Sequence, residues 1–145
     1  MRPAVLVGLV LLSGCTGPTY IVQAYDGPPR SGASIAVIRI SGGAKPQVVA
    51  LDGQRVLPVI DDGTRMHLEV LPGRHEIEAD APERGVREPV VLRLDAQAGK
   101  MYRIEVRRVL SDSGAGAETR AIAYAYEVDP GSDAPIGPAL VEPAK

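Results

Sequence analysis

From Ser34 onward, short apolar runs alternate with small or polar breaks, a spacing that predicts strands rather than long helices. Ser34 to Ile40 is rich in Ile and Val with little polar interruption, which predicts a central strand covered on both faces. Gln47 to Leu51 and Gln54 to Leu57 flank Asp52-Gly53, a dipeptide suited to the positive φ angles of a two-residue turn. Asp61-Asp62-Gly63 marks another turn. Around Pro72-Gly73 the alternation is in step on both sides. A hairpin with that tip sets Met66, Leu68 and Val70 opposite Ala79, Ile77 and His75 on a buried face. The same register sets Arg65, His67 and Glu69 opposite Asp80, Glu78 and Glu76 on the outer face.

Three further strands are predicted over Pro89 to Leu94, Met101 to Val109 and Thr119 to Val128. Beyond Asp129 the prolines at 130, 135, 138 and 143 predict a disordered tail. The fold class expected is all-β: a single antiparallel β-sandwich of seven to eight strands. The expected layout is a signal segment over 1–14, a tether over 15–33, the sandwich over 34–128 and the Pro-rich tail over 129–145.

The N-terminal segment changes the picture from fold to address. Arg2 precedes an apolar run from Ala4 to Leu12, the charged-then-apolar layout of an export signal. Nine helical residues span only about 13 Å, too short for a hydrocarbon core of about 30 Å. Leu12-Ser13-Gly14-Cys15 at the end of that run resembles the lipobox of bacterial lipoproteins. The resemblance implies cleavage before Cys15, lipidation of its thiol, and a membrane anchor made of acyl chains. Thr16 rather than Asp after the cysteine implies outer-membrane sorting in a cell with two membranes.

Composition then removes several function classes. Losing Arg2 with the signal moves the formal charge from −2 to −3, no match for nucleic acid. Five Tyr with no Trp or Phe disfavour a dedicated stacking platform for sugars or bases. Cys15 is the only cysteine, so the fold rests on burial without a disulfide.

Leu71-Pro72-Gly73-x-His75-x-Ile77, followed by a strand and then Ala98-Gly99-Lys100-Met101-Tyr102, resembles small envelope lipoproteins of proteobacteria. It is also similar to surface β-sandwich modules named for a Pro-Glu-Gly-Ala sequence, related in shape to transthyretin-like domains. The likeness spans Ala36 to Val109 and implies a fold, with no catalytic residues to carry over.

The sequence has no nucleophile turn of the Gly-x-Ser-x-Gly kind and no phosphate-binding glycine loop, so a non-enzymatic role without cofactors is expected. His67, Glu69, Glu76 and Glu78, if paired across one hairpin, form a candidate divalent-cation site. Arg103, Arg107 and Arg108, with Arg93 on a neighbouring strand, form a candidate basic stripe for anionic lipid or cell-wall carboxylates. Pro72, Gly73, the Ser111–Glu118 loop and an exposed edge strand are candidate protein-contact surfaces. The expectation is a lipid-anchored envelope interaction or structural module with an envelope protein as partner. A lipoprotein that binds a cation or cell-wall material is the alternative.

Overall fold

The computed structural model describes residues 8–9, 19–41, 47–56, 65–80, 89–112 and 117–140. Among them are ten strands and no α-helix. Strands β1 (Gly8–Leu9), β2 (Thr19–Gln23), β6 (Arg65–Val70), β3 (Ala36–Ser41), β9 (Met101–Asp112) and β10 (Ala117–Glu127) form one sheet in that spatial order. The second sheet runs β5 (Gln54–Arg55), β4 (Gln47–Leu51), β7 (Gly73–Asp80) and β8 (Val90–Ala96).

Alternation along the strands builds the core. Ile38, Leu68 and Tyr102 from the first sheet share one apolar cluster with Ile77, Leu92 and Leu94 from the second. β10 turns its alanines inward: Ala123 and Ala125 are buried while Ile122, Tyr124 and Tyr126 are half-buried. Strand β3 is central, between β6 and β9, as its apolar run with little polar interruption predicts. Asp52 and Gly53 have φ of 50° and 75°, and they close the β4–β5 hairpin with Leu51 opposite Gln54.

Two pairings depart from the all-antiparallel expectation. β2 runs parallel to β6, and β3 parallel to β9. No tight turn joins either pair, so nothing local dictates their direction.

The segment around Pro72-Gly73 is a corner between sheets, not a hairpin. β6 is paired on both edges by β2 and β3, and β7 on both edges by β4 and β8. Met66, Leu68 and Val70 still share one apolar cluster with Ile77 and Ala79, but from different sheets rather than side by side. An in-step alternation buries the same residues in either arrangement, which is why it predicts a hairpin here. Gly73 turns the corner at φ 140°, a region open to glycine.

Both flanking segments are built into the fold. Thr19–Gln23, within the expected tether, is the β2 strand. Residues 129–140, expected to be disordered, fold back along β10. Ile136 N donates to Glu127 O, and Leu140 N donates to Ala125 O, each at 2.8 Å. Asp129 organises the turn by accepting from the amides of Gly131 and Ser132 and from the Ser132 hydroxyl. Those bonds hold its carboxyl below the ordinary range.

Candidate functional site

The expected cation site is taken apart by the sheet assignment. His67 and Glu69 stand on β6 in the six-stranded sheet, whereas Glu76 and Glu78 stand on β7 in the other. Glu76 instead meets Arg93 Nε at 3.5 Å. Among the described residues no group of three or more His, Cys, Asp or Glu is placed to hold a metal ion. The expected basic stripe is divided in the same way. Arg93 is on β8, while the backbones of Arg107 and Arg108 pair with Ile122 and Ala121 within the β9–β10 ladder. Their side chains and Cys15 lie outside the described residues. Pro72 is exposed at the corner between the sheets.

Arg103 is turned into a network that the sequence pattern does not predict. The ladder places His67, Arg39 and Arg103 in one row across β6, β3 and β9. Ile38 and Ile40 point into the core, so Arg39 faces the opposite side, yet it is only 8 % exposed. The turn over 129–133 covers it. Asp133, held at φ 58°, brings Oδ1 to 3.0 Å from Arg39 Nη1, an ionic contact without hydrogen-bond alignment. Arg103 donates through Nη2 to Glu105 Oε1 at 2.6 Å and through Nη1 to Asp133 O at 3.0 Å. Burial first, then Arg39 and Arg65, lowers the His67 pKa below its ordinary 6.5; the Asp133 carboxylate acts in the opposite direction. A lone arginine inside the apolar run Ser34 to Ile40 was a sequence signal that a buried partner exists.

His75, on β7, joins two neighbouring segments. Its ring contacts Asp52 Oδ2 through Nδ1 and the Leu71 carbonyl through Nε2, both at 2.7 Å. A carbonyl and a carboxylate only accept, so the ring donates to both when it carries two protons. Asp52 Oδ1 also accepts from the Glu76 amide at 2.8 Å. One turn residue thereby ties the β4–β5 hairpin to β7.

A cavity of about 460 Å³ is lined by residues of β8, β9, β10 and the C-terminal segment, with Arg74 of β7 also in its wall. Arg93, Leu94 and Asp95 line one side, and Tyr102, Glu127 and Leu140 line the other. Lys100 Nζ reaches Glu127 Oε1 at 2.5 Å, and that carboxylate raises the lysine pKa. The Tyr102 hydroxyl accepts from the Gln97 amide at 2.9 Å, and burial raises its pKa. Comparison of the chain with protein-family models, curated proteins and solved structures finds no match.

Proposed function

We propose that this chain is a lipid-anchored, non-catalytic module of the bacterial cell envelope, working through protein contacts. On this reading its two sheets form a single β-sandwich. The observation that carries the proposal is the position of β2. It starts at Thr19, four residues after the lipobox cysteine. Four extended residues reach about 14 Å at most, so the anchor holds one sheet edge close to the membrane. Several acyl chains make such an anchor firm, since each buried methylene contributes about 0.8 kcal/mol.

Cleavage before Cys15 removes β1, whose Gly8 and Leu9 pair with Ile21 and Tyr20, and leaves β2 as the sheet edge. The described polar groups also support a structural role. Arg39 with Asp133, Arg103 with Glu105, His75 with Asp52 and Lys100 with Glu127 are engaged with each other. In a cell with two membranes, Thr16 points to the outer membrane, with the module facing the periplasm.

The test is crosslinking in the native envelope, comparing the wild type, Cys15→Ser and a chain with a flexible insert between Cys15 and Thr19. A defined partner captured by the wild type and lost in both variants is the expected result. Equal capture by all three would refute a role for the short anchor.

A further inference from the structure

We infer that the mature chain dimerises through β2, whose outer edge pairs antiparallel with β2 of a second copy in the same membrane. This dimer rests on the lipid-anchor reading and gives the interaction module its partner. Among the described residues β2 is paired by β6 on one edge and by β1 on the other, and β1 lies before Cys15. Gly8 and Leu9 pair antiparallel with Ile21 and Tyr20, so this edge accepts an antiparallel strand. Cleavage before Cys15 takes that strand away and leaves backbone N–H and C=O groups there without a ladder partner.

β2 lacks the devices that keep an edge strand solitary. Thr19–Gln23 has no charged residue and no proline, and its ladder with β6 runs without a bulge. Its sequence also suits its own copy. With Ile21 at a two-fold axis, Ile21 faces Ile21, Tyr20 faces Val22 on either side, and Thr19 faces Gln23. These are β-branched and aromatic–β-branched pairs, with no like charges opposed. The register with β6 sets Tyr20 and Val22 beside Met66 and Leu68 on the core face, and Ile21 beside His67 on the other. An axis normal to the sheet keeps both core faces on one side, so the two copies build one continuous sheet. The same axis puts both Cys15 residues at one level, and both anchors enter one membrane. A ladder of five residues is short. Confinement of both copies to one membrane supplies the effective concentration it needs, which a soluble partner would lack.

Cys15 is the only cysteine, so its acylation leaves the wild type without a free thiol and makes an added cysteine a clean probe. Ile21→Cys, Thr19→Cys and Arg55→Cys are each introduced into the full chain, and the native envelope is oxidised with copper phenanthroline. Directly opposed Cα atoms stand about 4.5–5.5 Å apart, within reach of a disulfide. Two copies of residue 19 would be offset by four positions, about 13 Å along the strands. The expected result is a disulfide-linked homodimer from Ile21→Cys, and none from Thr19→Cys or from Arg55→Cys on the exposed β5 edge of the other sheet. Thr19→Cys and Gln23→Cys chains expressed together should give a mixed dimer, a readout that stands even if Ile21→Cys fails to fold. Equal crosslinking at every position overturns the proposal, as does its absence both at position 21 and in the 19–23 mixture. A disulfide from position 21 to a different protein overturns the second copy and leaves the interaction module standing. The N-terminal mass of the same samples separates the two readings. An acylated chain that begins at Cys15 and does not crosslink overturns the dimer alone, whereas a chain that begins at Met1 keeps β1 and overturns both.

Discussion

Replacing Asp133 by Asn removes the negative charge that faces Arg39 at 3.0 Å and Arg103 at 3.8 Å. Asn tolerates positive φ as Asp does, so the turn at φ 58° survives and the variant isolates the electrostatic contribution. Arg39 would then keep its burial and lose its counter-ion. Leaving one charge of a fully buried pair unpaired costs about 3–5 kcal/mol, whereas exposed pairs contribute about 0–1 kcal/mol. The Asp133 side chain is 33 % exposed and that of Arg39 9 %, so the case lies between these limits, at about 2 kcal/mol. For a chain of this size that lowers the thermal midpoint by about 6–10 °C.

The assay is thermal unfolding of the wild type, Asp133→Asn, Arg39→Met and the double variant. Met fills the space of the arginine stem without a charge, so Asp133→Asn should cost under about 0.5 kcal/mol in that background. A coupling of about 1.5 kcal/mol is therefore expected. A midpoint unchanged by Asp133→Asn, or a cycle that adds within about 0.5 kcal/mol, would refute the claim that the C-terminal turn is locked by this pair.

His67 makes the same face acid-sensitive. Its folded-state pKa is below 6.5, so the unfolded chain takes up the proton first. The stability it contributes is complete above pH 6.5 and is lost as pH falls through the folded pKa. The midpoint difference between wild type and His67→Gln should therefore shift against the wild type on acidification, and Asp133→Asn should steepen that loss. A difference independent of pH would contradict the burial of the ring. Gly53→Ala should cost about 1 kcal/mol, entirely from φ of 75°, since an added Cβ meets nothing within 4 Å; chemical denaturation gives this number directly. Truncation after Val128 should destabilise at least as much as Asp133→Asn and expose the β10 edge to self-association, read by thermal unfolding and sedimentation. A truncated chain with the wild-type midpoint would show that residues 129–140 add nothing to the fold.

Alternation along the chain made the buried faces legible before any partner was known. Met66, Leu68, Val70, Ile77 and Ala79 are all in the core. Asp52-Gly53 forms the turn its residue types require, because positive φ at two successive positions is a local property. Which strand lies beside which was not legible, because alternation specifies a face and leaves the neighbour open. Alternation alone therefore sets β6 and β7 together as one hairpin and four side chains as one cation site, which the two sheets separate. The Arg39–Asp133 contact was hidden for a related reason: Asp133 reaches β3 only because the segment after Val128 returns along β10. Proline-rich composition disfavours helices but does not prevent an extended segment from pairing at a sheet edge.

Lipid anchoring is tested most directly by the intact mass and N-terminal peptide of the chain recovered from the membrane fraction of its native cell. A lipid anchor on Cys15 gives a chain that begins at this residue, carries acyl chains there and partitions into detergent, with Cys15→Ser unacylated. A membrane-recovered or soluble chain whose N-terminal peptide begins at Met1, with an unmodified Cys15 thiol, would contradict it.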